Sequence, residues 1–142
     1  MIRSVDSIER SVHKTNELLS ELVAELGHDD REDAWRILKG YLQVLRDELT
    51  LDEAAQLAAQ LTLVVRGAFY EGFDPGHQPA RLRNREEFLE RLAEHAALSD
   101  AEDATEAAEA ATKVLRRRVT EGEWDDVLSQ LPTEVREVLQ QA

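Results

Sequence analysis

The residues best suited to chemistry fall in one stretch, FYEGFDPGHQPARLR, at positions 69–83. Tyr70 and Phe73 offer stacking faces, Glu71 and Asp74 offer carboxylates, and His77 offers a group that titrates near neutral pH. With Trp35 they would make a docking surface for a small ligand or a peptide. The other reading of the same residues is mechanical. The aromatic side chains would staple a connector to the body of the protein, with Pro75 and Pro79 stiffening it. The mechanical reading is preferred, because long Ala-, Leu- and Glu-rich runs flank the stretch on both sides.

Other chemistries find little footing. The chain has no Cys, which excludes thiolate nucleophiles, thiolate metal sites and disulfides. It contains no GxxxxGK, GxGxxG or GxSxG pattern. Glu25 and His28 form one E-x-x-H pair, but a di-iron bundle needs two such pairs plus carboxylates from two more helices, and Gly27 interrupts this one. The acidic runs DDREDAW and SDAEDATEAAE lack the D-x-D-x-D-G spacing of a calcium loop and suit first helical turns, where they complement the helix dipole. No metal, cofactor or catalytic residue is therefore expected. Arg81, Arg83 and Arg85 could touch phosphate, as could Arg116–Arg118. A net charge of −13 nevertheless disfavours nucleic acid. The acidity and the scarcity of Lys fit either a codon bias or a salt-rich cytoplasm.

What must position these residues is a helical scaffold. Apolar residues recur at helical spacing in Ala34, Ile37, Leu38, Tyr41, Leu42, Leu45 and Leu49, and no stretch alternates with period two. The pattern predicts eight helices, near 5–26, 31–49, 51–60, 62–72, 85–97, 100–119, 121–131 and 132–141. Thr50 with Glu53, Thr120 with Glu123, Asn84 with Glu87 and Ser99 with Glu102 read as capping boxes that start four of them. Gly27 reads as a C-cap, and Pro132 as the first residue of the last helix. At 142 residues, with no apolar run near the ~18 needed to span a bilayer and no apolar N-terminal region, one cytoplasmic domain with no membrane contact is expected.

The chain repeats itself at an offset of 70. VLRDELTLDEAAQLAAQLTLVVRGAF (44–69) lines up with VLRRRVTEGEWDDVLSQLPTEVREVL (114–139), and Asp30, Glu32, Asp33 and Ala34 line up with Asp100, Glu102, Asp103 and Ala104. The expected architecture is all-α, with two tandem four-helix units in one domain over 1–142. Unit one covers about 14–72, a connector about 73–84, and unit two about 85–141. Trp35 and Tyr41 stand opposite Thr105 and Ala111, and Ala54 opposite Trp124, a large-for-small exchange that lets two copies interlock. Polar identities also repeat: Gln60 and Gln130, Arg46 and Arg116, Arg66 and Arg136. Each such Arg is expected to pair with a carboxylate or a helix-end carbonyl inside its own unit.

The repeated LRxxxTxxE…QL core, with RGAFYEGFDP after the first copy and EGEWDDVLSQLP in the second, resembles a prokaryotic family catalogued as domain of unknown function 2267. The similarity runs from about Asp6 to Leu139. Phe69 and Phe73 stand where Tyr and Trp are usual, and Thr62 where Pro is. The resemblance implies an all-helical fold and no particular activity.

Residues 1–13 have no counterpart in the second unit. There Val5, Ile8 and Val12 begin a heptad stripe that continues through Thr15, Leu19, Leu22 and Leu26. The extension either folds back on its own chain, the preferred reading, or meets another chain. These features favour a non-enzymatic interaction or regulatory module, with a protein partner or self-association. Alternatives are a small-molecule binder with its pocket at the seam between units and, more remotely, a DNA-binding regulator using Arg81, Arg83 and Arg85.

Overall fold

The computed structural model describes residue 3 and residues 5–142. Residues 1, 2 and 4 of the N-terminal extension lie outside that range. Among the described residues there are eight α-helices and no strand. They are α1 (Asp6–Leu26), α2 (Arg31–Asp47), α3 (Leu51–Ala59), α4 (Leu63–Tyr70), α5 (Arg85–Ala96), α6 (Ala101–Arg116), α7 (Glu121–Gln130) and α8 (Thr133–Gln140), with a short 3₁₀ turn at Pro75–His77 between α4 and α5. No described helix is long and apolar enough to cross a membrane.

Side-chain caps fix several starts. Asp30 accepts from Asp33 N, Thr50 from Glu53 N, Asn84 from Glu87 N, and Thr120 from Glu123 N. The fifth cap is Asp100, accepting from Asp103 N at 2.9 Å, and not Ser99 as the sequence suggests. Asp100 gives α6 the same cap, at the same register, that Asp30 gives α2. Pro132 is the residue before α8, and its carbonyl accepts from Arg136 N at 2.9 Å. Three helices, α2, α4 and α6, stop two to three residues earlier than the periodicity suggests. After α2 and α6 the chain tightens to i→i+3 bonds, Leu49 N to Arg46 O and Arg118 N to Leu115 O, and then passes straight into the next cap.

Helix boundaries recur at a spacing of 70: α2 and α6 start at residues 31 and 101, and α3 and α7 at 51 and 121. Packing is reciprocal. The helix α1 lies on α6 while α2 lies on α5, and the short helices α3 and α7 lie on each other. One continuous core results. Its fully buried side chains come from both parts of the chain: Leu22, Tyr41, Leu45, Leu57 and Phe69 from one, Phe88, Leu92, Leu115 and Leu139 from the other. Each such side chain stabilises the fold by about 1.5–3 kcal/mol. Tyr41 carries its polar tip into this core and satisfies it with Thr112 Oγ1 at 2.8 Å. Trp124, opposite Ala54 in the repeat alignment, is 3% exposed, consistent with the large-for-small exchange. Gly40 allows α2 and α5 to approach closely, since a Cβ there would lie 3.0 Å from Ala96 N. Arg36 Nε closes the same contact on Ala96 O at 2.6 Å.

Candidate functional site

The site with the most unsettled chemistry lies where α3 meets α7. Thr50 opens α3 and Thr120 opens α7, and each hydroxyl takes the amide three residues on. In a capping box the Glu at that third position would reach back to the N–H of the Thr. Here that N–H is already taken by the opposite helix. Thr50 N donates to Gln130 Oε1 at 2.9 Å, and Thr120 N donates to Gln60 Oε1 at 2.8 Å. Each Gln amide then donates to the Thr hydroxyl, at 3.3 Å from Gln60 and 3.4 Å from Gln130. The two helices cap each other, and Glu53 and Glu123 are released from capping.

Both carboxyl groups turn inward. Glu53 and Glu123 are each 6% exposed, and one oxygen of each takes no hydrogen bond from the protein. Oxygens of Glu53, Glu123 and the exposed Asp126 lie within 4.8 Å of one another. Burial, then a hydrogen bond with Glu53, then the charges of Glu53 and Asp126 push the Glu123 carboxyl up to about 7. Two buried carboxylates at this range cannot both stay ionised without compensation. A set of this kind holds a proton or a hard cation. Sequence reasoning missed it. Both Glu residues had a sufficient local explanation as caps, and nothing in either segment alone indicates that the two helix starts face each other.

The residues of the 69–83 stretch do other work. Tyr70 packs edge-on against Phe69, with ring centroids 5.2 Å apart, and lies 5.7 Å from Phe73. The guanidinium of Arg46 lies over Phe73 at 5.4 Å. Trp35 is half-buried against the core, with the Lys39 ammonium 6.0 Å from its ring, and Lys39 reaches Glu71 at 3.3 Å. Asp74 pairs with His77 at 2.6 Å, out in solvent. The Gly76 amide and His77 hold the Asp74 carboxyl below the usual range. Tyr70 and Phe73 thus pack the connector onto the body, and further hold comes from residues that sequence reasoning did not single out. Gln78 Nε2 donates to Arg46 O and Leu49 O at 2.7 and 2.9 Å, and Ala80 N donates to Asp47 O. Leu82 N donates to both carboxylate oxygens of the buried Glu48, whose carboxyl is pushed up by that burial.

The repeated arginines take their expected roles at three of four positions. Arg66 binds the carbonyls of Ala58 and Leu61 at 2.9 and 3.1 Å, and Arg136 binds those of Leu128 and Leu131 at the same distances. The buried Arg46 donates to Phe69 O and Glu71 O. Its counterpart Arg116 is exposed in the last turn of α6. The cations considered for phosphate are partly spent on carboxylates. Arg83 pairs with Glu87, Arg117 pairs with Glu21 and Glu25, and Arg118 pairs with Glu21. Arg81 is exposed and Arg85 half-buried. Glu25 and His28 separate around Gly27, which ends α1 in a left-handed turn, and His28 turns to Asp33 instead.

The extension packs on its own chain through polar side chains. Ser11 Oγ accepts from Val64 N at 3.0 Å, and Thr15 Oγ1 meets Thr62 Oγ1 at 3.1 Å. Val5, Ile8 and Val12 face outward, at 58, 51 and 45% exposure.

No curated protein matches this chain. A family model described as an uncharacterized conserved protein (DUF2267) matches residues 15–138, from the Thr15 contact in α1 into α8, and the chain belongs to that family.

Proposed function

We propose that this protein is a non-enzymatic interaction module of the cytoplasm. Its body is two copies of one four-helix unit, and it binds a second copy of itself through the first turns of α1. Four features support the duplicated body: the 70-residue spacing of helix boundaries, the reciprocal packing, the matched bonds of Arg66 and Arg136, and the exchanged caps of Gln60 and Gln130. The cytoplasmic placement rests on the acidic, cysteine-free composition.

One observation carries the interaction. Six large apolar side chains are exposed among the described residues, and three of them, Val5, Ile8 and Val12, line one shallow groove. Ile8 and Val12 lie on successive turns of α1, after Val5 at its N-cap. Leu63 and Val64 are also exposed, at the start of α4, where Val64 N meets Ser11 and Thr62 meets Thr15. A clustered apolar patch at a helix end is an association surface, whereas single exposed residues need no explanation. The flanking charges favour a second copy as the occupant. In an antiparallel pair of α1 helices centred on Ile8, Ile8 meets its own copy and Asp6 comes opposite Arg10, so an apolar and an ionic contact are both self-complementary. The seam-pocket reading loses support, since Phe73 is engaged with Arg46, Glu71 with Lys39, and Tyr70 with Phe69 and Phe73.

The test is sedimentation equilibrium on the wild type and on Ile8→Asp, with helicity as the folding control. The expected result is a dimer that becomes a folded monomer, with the dissociation constant raised at least tenfold. A wild type that stays monomeric at about 100 μM, or a dimer untouched by the substitution, overturns the reading.

A further inference from the structure

Glu53 and Glu123 are nine-tenths buried, and each has an oxygen that takes no hydrogen bond. Leaving a buried charged acceptor unmet is expensive, so something must compensate for it. Four nearby backbone donors are spent. The Glu53 and Glu123 amides go to Thr50 and Thr120, and the Thr amides go to Gln130 and Gln60. The side chains that act most on Glu123 are themselves acidic, Glu53 and Asp126. One shared proton would satisfy the buried pair but would leave Asp126 beside it. Asp126 is not required by what the two halves have in common, since Gln56 holds its place at the 70-residue offset. A third carboxylate one helical turn beyond Glu123, at the solvent side, is what an ion needs for entry and for a third ligand.

We infer that Glu53, Glu123 and Asp126 form a binding site for one hard divalent cation of Ca²⁺ size. The donor set is all oxygen, which suits Ca²⁺, Mg²⁺ or Mn²⁺ over the softer metals that prefer nitrogen and sulfur. Oxygens within 4.8 Å of one another can all touch a single ion at Ca–O distances of about 2.3–2.6 Å. Mg²⁺, at about 2.0–2.1 Å and with a strict octahedron, would require the carboxylates to close further. The remaining ligands would be water, entering beside Asp126. The ion would tie α3 to α7, and so one part of the chain to the other, at the point where the Gln60 and Gln130 caps cross. This inference is independent of association through α1.

The experiment is thermal unfolding of the full chain at pH 8 in chelator, and then in rising Ca²⁺, for the wild type, Asp126→Asn and Glu123→Gln. Ca²⁺ at about a hundredfold excess over its dissociation constant should raise the wild-type Tm by roughly 5–10 °C. The shift should shrink in Asp126→Asn, an exposed position that leaves folding intact, and vanish in Glu123→Gln. Tb³⁺ supplies a second readout. Trp124 is the next residue after Glu123, and its indole should sensitise Tb³⁺ emission that Ca²⁺ then displaces. Absence of any Ca²⁺-dependent Tm shift up to 10 mM, or an equal shift in all three proteins, overturns the site and leaves the pair as a proton holder only.

Discussion

The stretch α2–α4 and the stretch α6–α8 share one set of backbone bonds and differ in another. In both, an Arg (Arg66, Arg136) reaches back to the last carbonyls of the preceding helix at matching distances. In the first, Arg46 is also buried, at 3% exposure, where it gathers Phe69 O, Glu71 O and Asp47 and lies under Phe73. In the second, Arg116 stays at the surface. The two differ in what covers the arginine. Residues 71–82 return over the end of α2, and Arg46 sits beneath them with Gln78 and Glu48. Nothing of comparable kind is seen to cover Arg116, which stays exposed among the described residues.

The sharpest way to break this comparison is to truncate both arginines. Arg46→Ala should cost about 3–4 kcal/mol in urea unfolding, because it orphans the buried Phe69 carbonyl and the part-buried Glu71 carbonyl and empties the space under Phe73. Arg116→Ala should fall within about 0.5 kcal/mol of the wild type. Equal costs would mean that the covering segment contributes nothing to the role of Arg46.

The second contrast lies between Glu123, inward at the start of α7, and the ordinary carboxylates of other first turns. Its carboxyl is raised to about 7, so the folded state holds a proton there that the unfolded chain has already released above about 4.5. The stability this provides is complete below about pH 4.5 and is lost as pH rises through 7. Without divalent cations, unfolding free energy should fall by roughly 2–3 kcal/mol between pH 5 and pH 8. Burial of Glu48 adds in the same direction. Glu123→Gln should flatten most of the slope. A profile with the wild-type slope intact in that variant would show that the proton resides elsewhere.

The smallest effect compares two helix ends. Gly27 closes α1 at φ +80°, and Ala97 closes α5 in the same left-handed conformation at φ +52°. Only Gly adopts this region freely. Gly27→Ala should cost about 1 kcal/mol, and Ala97→Gly should gain about 0.5–1 kcal/mol, both read from denaturant midpoints. Opposite signs at equivalent positions would confirm that the two ends are built alike.

Much of the fold is legible in the chain because it is local. Helical periodicity, Thr and Asn caps, Gly27 as a stop and the 70-residue recurrence are all written within a few turns of chain, and they account for all eight helices. The backbone bonds of Arg66 and Arg136 are legible too, since their partners lie within eight residues. Trp35, Tyr70, Glu71, Phe73, Asp74 and His77 draw attention by residue type alone. Type says nothing about whether a ring stacks on a ligand or on Arg46.

What the sequence by itself determined is the set of helices, their ends and the pairing of equivalent positions. Those depend on hydrogen bonds and side-chain spacing within single segments. What only the tertiary structure decided is which N-termini meet. Gln60 lies 60 residues from Thr120, and Gln130 lies 80 from Thr50. By taking the amides that Glu53 and Glu123 would otherwise have capped, these distant bonds turn two routine helix starts into a buried carboxylate pair. The same folding leaves Val5, Ile8 and Val12 uncovered while it buries Ser11 and Thr15 beside them. Burial depends on where the neighbouring helix ends, and no heptad count contains that distance.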